Sequence, residues 1–455
     1  MFHQTRYFAT LLLVVCWTGI AQAQSYDAAR DAYEAGDFTR SLAILEPLAD
    51  GGDGRAINLL GVMHEFGEGV AQNTVRAIEL YERAAELGNA HGWNNLGLLY
   101  QNGAPGLPPD MTRAGDAYER GVAMGHVGAL NNLGAFLENG HAGPPDWVRI
   151  LDLYERAHAG GDLDATVNIA SLYFDGRGVP QDQVRAVEYL RLAVAEGFPR
   201  AYRFLGYAYE LGEGVPQDND LAVQNYMRAA DGGSSSAAND LGVLFELGSG
   251  SLQPNAQRSA LWYESAIDMG NRYAPRNLAN LLRDGGPNLP ADTSRRFPLL
   301  ELGVERGDSG AMVDLSHLYW DGEGVAQDYG RARELLQQAV DLGDAGAMND
   351  LGVMFADGLG TAVDMPRAIT LYRRAAELRD GYGAMNLSAH LMDPDGGQYD
   401  PVEGYAWCEF GRLYNADSSG VMELYQECLQ RTSEMLSAEQ KIEARGIFTN
   451  LTERF

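Results

Sequence analysis

The sequence predicts an all-α fold, a solenoid of about ten stacked helix-loop-helix repeats closed by helical caps. Three observations carry this. A leucine, once an isoleucine, returns every 36 or 37 residues, at Leu60, Leu96, Leu133, Ile169, Leu205, Leu241, Leu278, Leu315, Leu351 and Leu387. Four positions before each stands Ala or Gly, from Ala56 to Gly383, on the same helical stripe. An independent column of Asn or Asp runs through Asn73, Asp110, Asp146, Asp182, Asp218, Asn255, Asp292, Asp328, Asp364 and Asp400, the residue types that start helices. Repeats of this length bury their apolar faces only against one another, so the chain offers a long surface rather than one pocket.

From the N-terminus, residues 1–23 read as a cleaved signal peptide. Arg6 precedes the apolar run Ala9 to Trp17, and Ala21-Gln22-Ala23 has the small-x-small pattern of a cleavage site. That run is short for a bilayer, and no later stretch is long and apolar enough, so no integral membrane segment is expected after cleavage. Residues 24–52 are expected to form an N-terminal helical cap, with an incomplete helical pair from Tyr26 to Leu48 around a Gly36-Asp37 turn. The solenoid is expected over 53–415. In its first repeat Ala56, Leu60 and His64 share a stripe, Gly67-Glu68-Gly69 breaks the helix, Asn73 starts the second, and Gly88 ends it. The closing glycine recurs as far as Gly343, with Arg379 in its place afterwards. Residues 416–455 are expected to cap the C-terminal end, Ser437-x-x-Gln440 being a capping box before an amphipathic helix with Ile442 and Phe448.

The frame A-x-x-x-L-G-x-x-Y-x-x-G-x-G-V-x-x-D-x-x-x-A-x-x-x-Y-x-x-A-A resembles the Sel-one-like repeat (SLR) family, which is tetratricopeptide-like. Ala201, Leu205, Gly206, Tyr209, Gly212, Gly214, Val215, Asp218, Ala222, Tyr226, Ala229 and Ala230 match it position by position, and the likeness runs from about Ala28 to Cys408. It implies a right-handed α/α solenoid used for protein–protein interaction, often scaffolding or regulating in bacterial envelopes. The chain departs from the frame at Ala170, Ala279, Ser316 and Ser388, where the glycine after the leucine is missing. Cysteine-rich members carry a disulfide in each repeat and are linked to β-lactam hydrolysis. This chain lacks those cysteines.

Net charge is -29, from 34 Lys+Arg against 63 Asp+Glu. Such a surface repels phosphate backbones, so no nucleic-acid partner is expected, and a basic segment of a protein is the better candidate. No metal or cofactor is expected either. The eight histidines include no pair at i, i+4, and the Gly67-Glu68-Gly69 type of loop has neither the preceding strand nor the lysine of a phosphate cradle. The acidic turn of Asp393, Asp395, Asp400 and Glu403 lacks the glycine and glutamate a calcium loop needs. There is no G-x-S-x-G, so the chain is read as a non-enzyme, with a β-lactamase-type hydrolase as the outlying alternative.

The residue before the periodic leucine is polar in eight repeats: Asn95, Asn132, Asn168, Asp240, Asn277, Asp314, Asp350 and Asn386. These side chains either bond neighbouring helices inside the stack, as buried polar groups must, or line a groove for an extended cationic peptide. Cys408 and Cys428, the cysteines left after cleavage, fall on two helices joined near Ser418 and are expected to form a disulfide in an oxidising compartment. The resulting expectation is a non-catalytic periplasmic or secreted interaction scaffold. An accessory of envelope or exopolysaccharide assembly is the alternative within binding. It would need aromatic rings along a groove, whereas Tyr100, Tyr173, Tyr209 and Tyr319 fall on core positions.

Overall fold

The computed structural model describes residues 25–395, 398–414 and 419–454, so the expected signal peptide lies outside the described residues. Within them there are 24 α-helices and no strand. The stretch read as an incomplete N-terminal pair holds two bounded helices, Tyr26–Glu34 and Phe38–Asp50. Ten helix pairs follow, the first Gly54–Phe66 with Thr74–Glu86 and the last Gly381–Leu391 with Pro401–Tyr414, and then Ser419–Met435 and Ala438–Arg454. Residues up to Asn225 and residues from Tyr226 form two compact units.

Helix starts follow from local chemistry. Each of the ten expected cap residues accepts a hydrogen bond from a first-turn backbone N–H of its second helix. First helices have a cap column of their own, directly after the closing glycine in most repeats, which the sequence reading missed. Asp53, Asp162, Asp344 and Asp380 cap in the ordinary way, and His126 does so with its ring, Nδ1 accepting from Ala129 N at 2.9 Å. The closing residue takes positive φ, 89° at Gly88 and 68° at Arg379.

A steric rule fixes how the two helices of a repeat meet. A Cβ on Gly61, Gly134 or Gly352 would sit 2.6 Å from a ring carbon of Tyr81, Tyr154 or Tyr372, all fully buried on the second helix. Where that glycine is replaced, the ring 20 or 21 positions on is gone too: Ala170 goes with Leu190, Ala279 with Leu300, Ser316 with Leu336, and Ser388 with Cys408. The departures from the frame are therefore compensated in volume. Each buried hydroxyl finds an acceptor near the end of the first helix in several repeats. Tyr81, Tyr154 and Tyr263 donate to Glu65, Glu138 and Glu246 at 2.6 Å, and Tyr118 donates to Gln101 at 2.8 Å. Burial first, and then the nearby carboxylate, pushes the Tyr81, Tyr154 and Tyr263 hydroxyls far up, so they stay protonated donors.

In the C-terminal unit the capping box forms as expected, Ser437 N donating to Gln440 Oε1 at 2.9 Å and Gln440 N to Ser437 Oγ at 3.3 Å. Phe448 and Leu451 pack against the core cluster that holds Trp407 and Phe410. Ile442 does not join them and is 69% exposed. It stands two residues before the buried Ala444, about 200° round the helix, so it shares no face with Ala444 and Phe448.

Candidate functional site

All eight members of the polar column are half-buried on the first helices of their repeats. The asparagines reach the preceding repeat. Asn95 Nδ2 donates to Asn58 Oδ1 at 3.1 Å, Asn132 to Asn94 at 2.9 Å, and Asn168 to Asn131 at 2.9 Å. In the C-terminal unit Asn277 donates to Asn239 at 2.9 Å and Asn386 to Asn349 at 2.8 Å. The acceptor always stands two positions before its own repeat's leucine. Each rung spends the carboxamide N–H on the neighbouring repeat, as buried polar groups require.

Sequence reading missed the acceptor column because it has no fixed composition; its signal is a pairing. Matched across each junction, the residue two before one leucine and the residue before the next are Asn with Asn five times, Val167 with Phe204, Arg203 with Asp240, Arg276 with Asp314, and Val313 with Asp350. Val167 is buried in a core cluster against which the half-buried Phe204 packs. Arg276 Nε meets Asp314 Oδ2 at 2.6 Å, and Asn280 Nδ2 adds a bond to the same oxygen at 3.3 Å.

Val313 with Asp350 alone is mismatched, since an isopropyl group offers a carboxylate nothing. Asp350 accepts instead from His317 Nε2 at 2.8 Å and from Asn349 Nδ2 at 3.2 Å. The hydrogen bond to Asp350 raises the His317 pKa, so this imidazole pairs as a cation more readily than a free one. Beside it opens a cavity of about 330 Å³ lined by His317, Trp320, Asp321, Asp350 and Val353. Among the described residues no Lys or Arg nitrogen lies within 4.0 Å of Asp321 or Asp350. Two carboxylates and an indole thus surround space that a cationic side chain fits, by charge and by the ring face.

The other candidate groups fall as follows. Cys408 and Cys428 are buried together with Met385 and Met392, their Sγ atoms 2.08 Å and their Cα atoms 6.6 Å apart. His126 Nε2 lies 2.8 Å from His91 Nδ1. Because Nδ1 of His126 already accepts from Ala129, the proton between the rings sits on His126 Nε2, which donates. Burial, then His91, lowers the His126 pKa to about 4. Among the described residues no three His, Cys, Asp or Glu are placed to hold a metal ion, and no helix is long and apolar enough to cross a membrane.

Comparison with known proteins agrees with this geometry. The model of one family, described as Sel1 repeat, matches residues 54–89, 94–126, 127–157, 163–198, 199–234, 235–271, 309–344 and 345–380. A protective antigen of uropathogenic Escherichia coli with an SLR fold is similar over 96% of this chain and 94% of that one, at 22% identity and a TM-score of 0.54. A Sel1 repeat protein from Oxalobacter formigenes covers 54% of this chain and 96% of its own, at 24% identity and a TM-score of 0.45. No curated protein matches the chain. The likeness to the E. coli antigen shows the fold.

Proposed function

We propose that this chain, which belongs to the Sel1 repeat family, is a non-catalytic interaction scaffold of the periplasm or the extracellular space that holds a basic, extended segment of a partner protein. Solenoids of this family typically scaffold protein–protein interaction. The observation that supports the finer reading is the mismatched junction. Every other polar member of the column has a polar residue across its junction, whereas Asp350 faces Val313 and borders the cavity of Trp320 and Asp321. The groove is accordingly assigned to the Asp314 to Asp350 stretch, and the asparagine rungs to the stack.

A labelled hexa-arginine peptide titrated into the full mature chain tests this. Binding should weaken with salt and fall in Asp350→Asn, Asp321→Asn and Trp320→Ala, because exposed charges are screened over about 8 Å at physiological ionic strength. Unchanged binding in all three variants would remove the assignment. In vivo cross-linking at Trp320 identifies the partner.

Export is proposed from Arg6, the apolar run and Ala21-Gln22-Ala23. Mass spectrometry of envelope protein should find a chain starting near Gln24, and an intact Met1 on cytoplasmic protein is the contrary result. The Cys408–Cys428 disulfide is part of the same proposal. Closing 20 residues stabilises by roughly 3 kcal/mol, and no free thiol should titrate in the denatured, non-reduced protein.

A further inference from the structure

Arginine stands three positions after the second-helix cap in eight of the ten repeats, from Arg76 to Arg367. Five of these, Arg76, Arg113, Arg149, Arg295 and Arg331, have a carboxylate within 4.0 Å. Arg185, Arg258 and Arg367 have none among the described residues and lie over the rings of Tyr173, Phe245 and Phe355. Arg367 differs from the other two in what it borders. It lines a cavity of about 500 Å³ with Arg333, Gln337, Gln338 and Thr361. Among the described residues Arg333 has no carboxylate within 4.0 Å either, and its Nη1 donates to Gly360 O at 3.2 Å. Glu334 on the same rim is taken by Arg331 at 2.9 Å.

Two guanidiniums with unspent donors thus converge on one cavity in a chain where 63 acidic residues face 34 basic ones. Spare carboxylates are plentiful here, and folding does not require these two arginines to go without one. We propose that this cavity binds an extended Asp- or Glu-rich segment of a protein, each guanidinium pairing with a side-chain carboxylate and the Gln338 amide bonding the peptide backbone. Phe355 also lines the cavity, but it is buried to 5% exposure and its ring is already covered by the Arg367 guanidinium at 4.2 Å, so that face is not free to stack a sugar, which favours peptide over acidic polysaccharide. Two arginines in so negative a field are too few for a phosphate backbone. The site goes beyond the basic-segment reading, since it takes a partner of opposite charge on different residues.

Fluorescence anisotropy of a labelled hexaglutamate peptide with the full chain tests the proposal. Wild type should bind, more weakly as salt rises. Arg367→Gln and Arg333→Gln should each lower affinity about tenfold, the scale of one charge-assisted pair, while Arg76→Gln, at a carboxylate-paired arginine, leaves it unchanged. Arg367 is exposed, so its variant folds regardless, and Arg333→Lys keeps the charge while removing the planar fork if Arg333→Gln unfolds. No binding by wild type, or wild-type affinity in the Arg367 and Arg333 variants, overturns the site. Tighter binding of an oligogalacturonate than of hexaglutamate overturns the peptide assignment. Hexa-arginine binding depends on Asp350 and Asp321 instead, so the two readings fail separately.

Discussion

At the position before the periodic leucine the N-terminal unit joins its repeats without charge, through three Asn–Asn rungs and then the apolar Val167 and Phe204, its inter-repeat ion pairs such as Arg200 with Asp164 lying elsewhere. The C-terminal unit begins and ends with the same neutral rung but places Arg276 with Asp314, and His317 with Asp350, between them. An amide pair carries no net charge, and the oxygen it leaves over is content with any further donor, as Asn168 Oδ1 accepts from Arg200 Nη2 at 2.8 Å. A carboxylate needs a cation supplied from elsewhere. Where the preceding repeat withholds it, as Val313 does, the structure opens to solvent. Stacking and binding are therefore separable duties of one register position, divided by the residue across the junction.

The largest expected effect breaks the contrast at the glycine–tyrosine contact. Gly134→Ala pushes a methyl into the Tyr154 ring and should cost about 1–3 kcal/mol in chemical unfolding. Adding Tyr154→Leu should recover part of it, since Ala170 with Leu190 is that very combination one repeat on. A double variant no better than the single would show that volume is not what couples the two positions.

Next comes the rung itself. Asn132→Ala strands the Oδ1 of buried Asn94 and should cost about 1–3 kcal/mol, whatever the salt, with hexa-arginine binding intact. Asp350→Asn, which keeps an oxygen for the Nδ2 of buried Asn349, should cost under about 1 kcal/mol, its imidazole partner being exposed, yet weaken that binding. Equal stability losses with equal binding would erase the distinction between the units.

The two histidines should sharpen it through pH with opposite signs. His126 has its folded pKa lowered to about 4 from 6.5, so its contribution is present above pH 6.5 and lost as pH falls toward 4. His317 is raised, so its contribution is full below its unfolded pKa and fades as pH rises through the folded one. Subtracting unfolding free energies of His126→Gln and His317→Gln from wild type across pH should give curves of opposite slope, and parallel curves would refute the pairing geometry. The smallest effect lies at Arg379, where φ of 68° suits glycine. Arg379→Gly should stabilise by about 0.5–1 kcal/mol, less whatever the stacking on Tyr414 supplies, and a loss would mean that stacking dominates.

Much of this was legible in the sequence. Leucine spacing and Asp/Asn caps place the helices because both act within one helix or turn, where spacing is geometry. The capping box of Ser437 and Gln440 is local in the same way. Ile442 was not legible, since an apolar residue announces a face without saying what covers it. Nor was the fate of the polar column: Asn95 and Asp350 read alike as polar residues before a leucine. Only Asn58 and Val313, 37 residues upstream of each, separate a satisfied rung from an open one.

The glycine–tyrosine contact is internal to a repeat, whereas the asparagine rung spans two. A duplication or deletion of one whole repeat carries the first contact along intact but makes a new junction for the second. Inheritance by whole repeats is thus free with respect to the interior and constrained at the seams. A copy of Val313's own repeat inserted behind it would set the copied Asp314 against Val313 and leave Asp350 against the copied valine, and would so give rise to a second carboxylate facing an isopropyl group in a single genetic step.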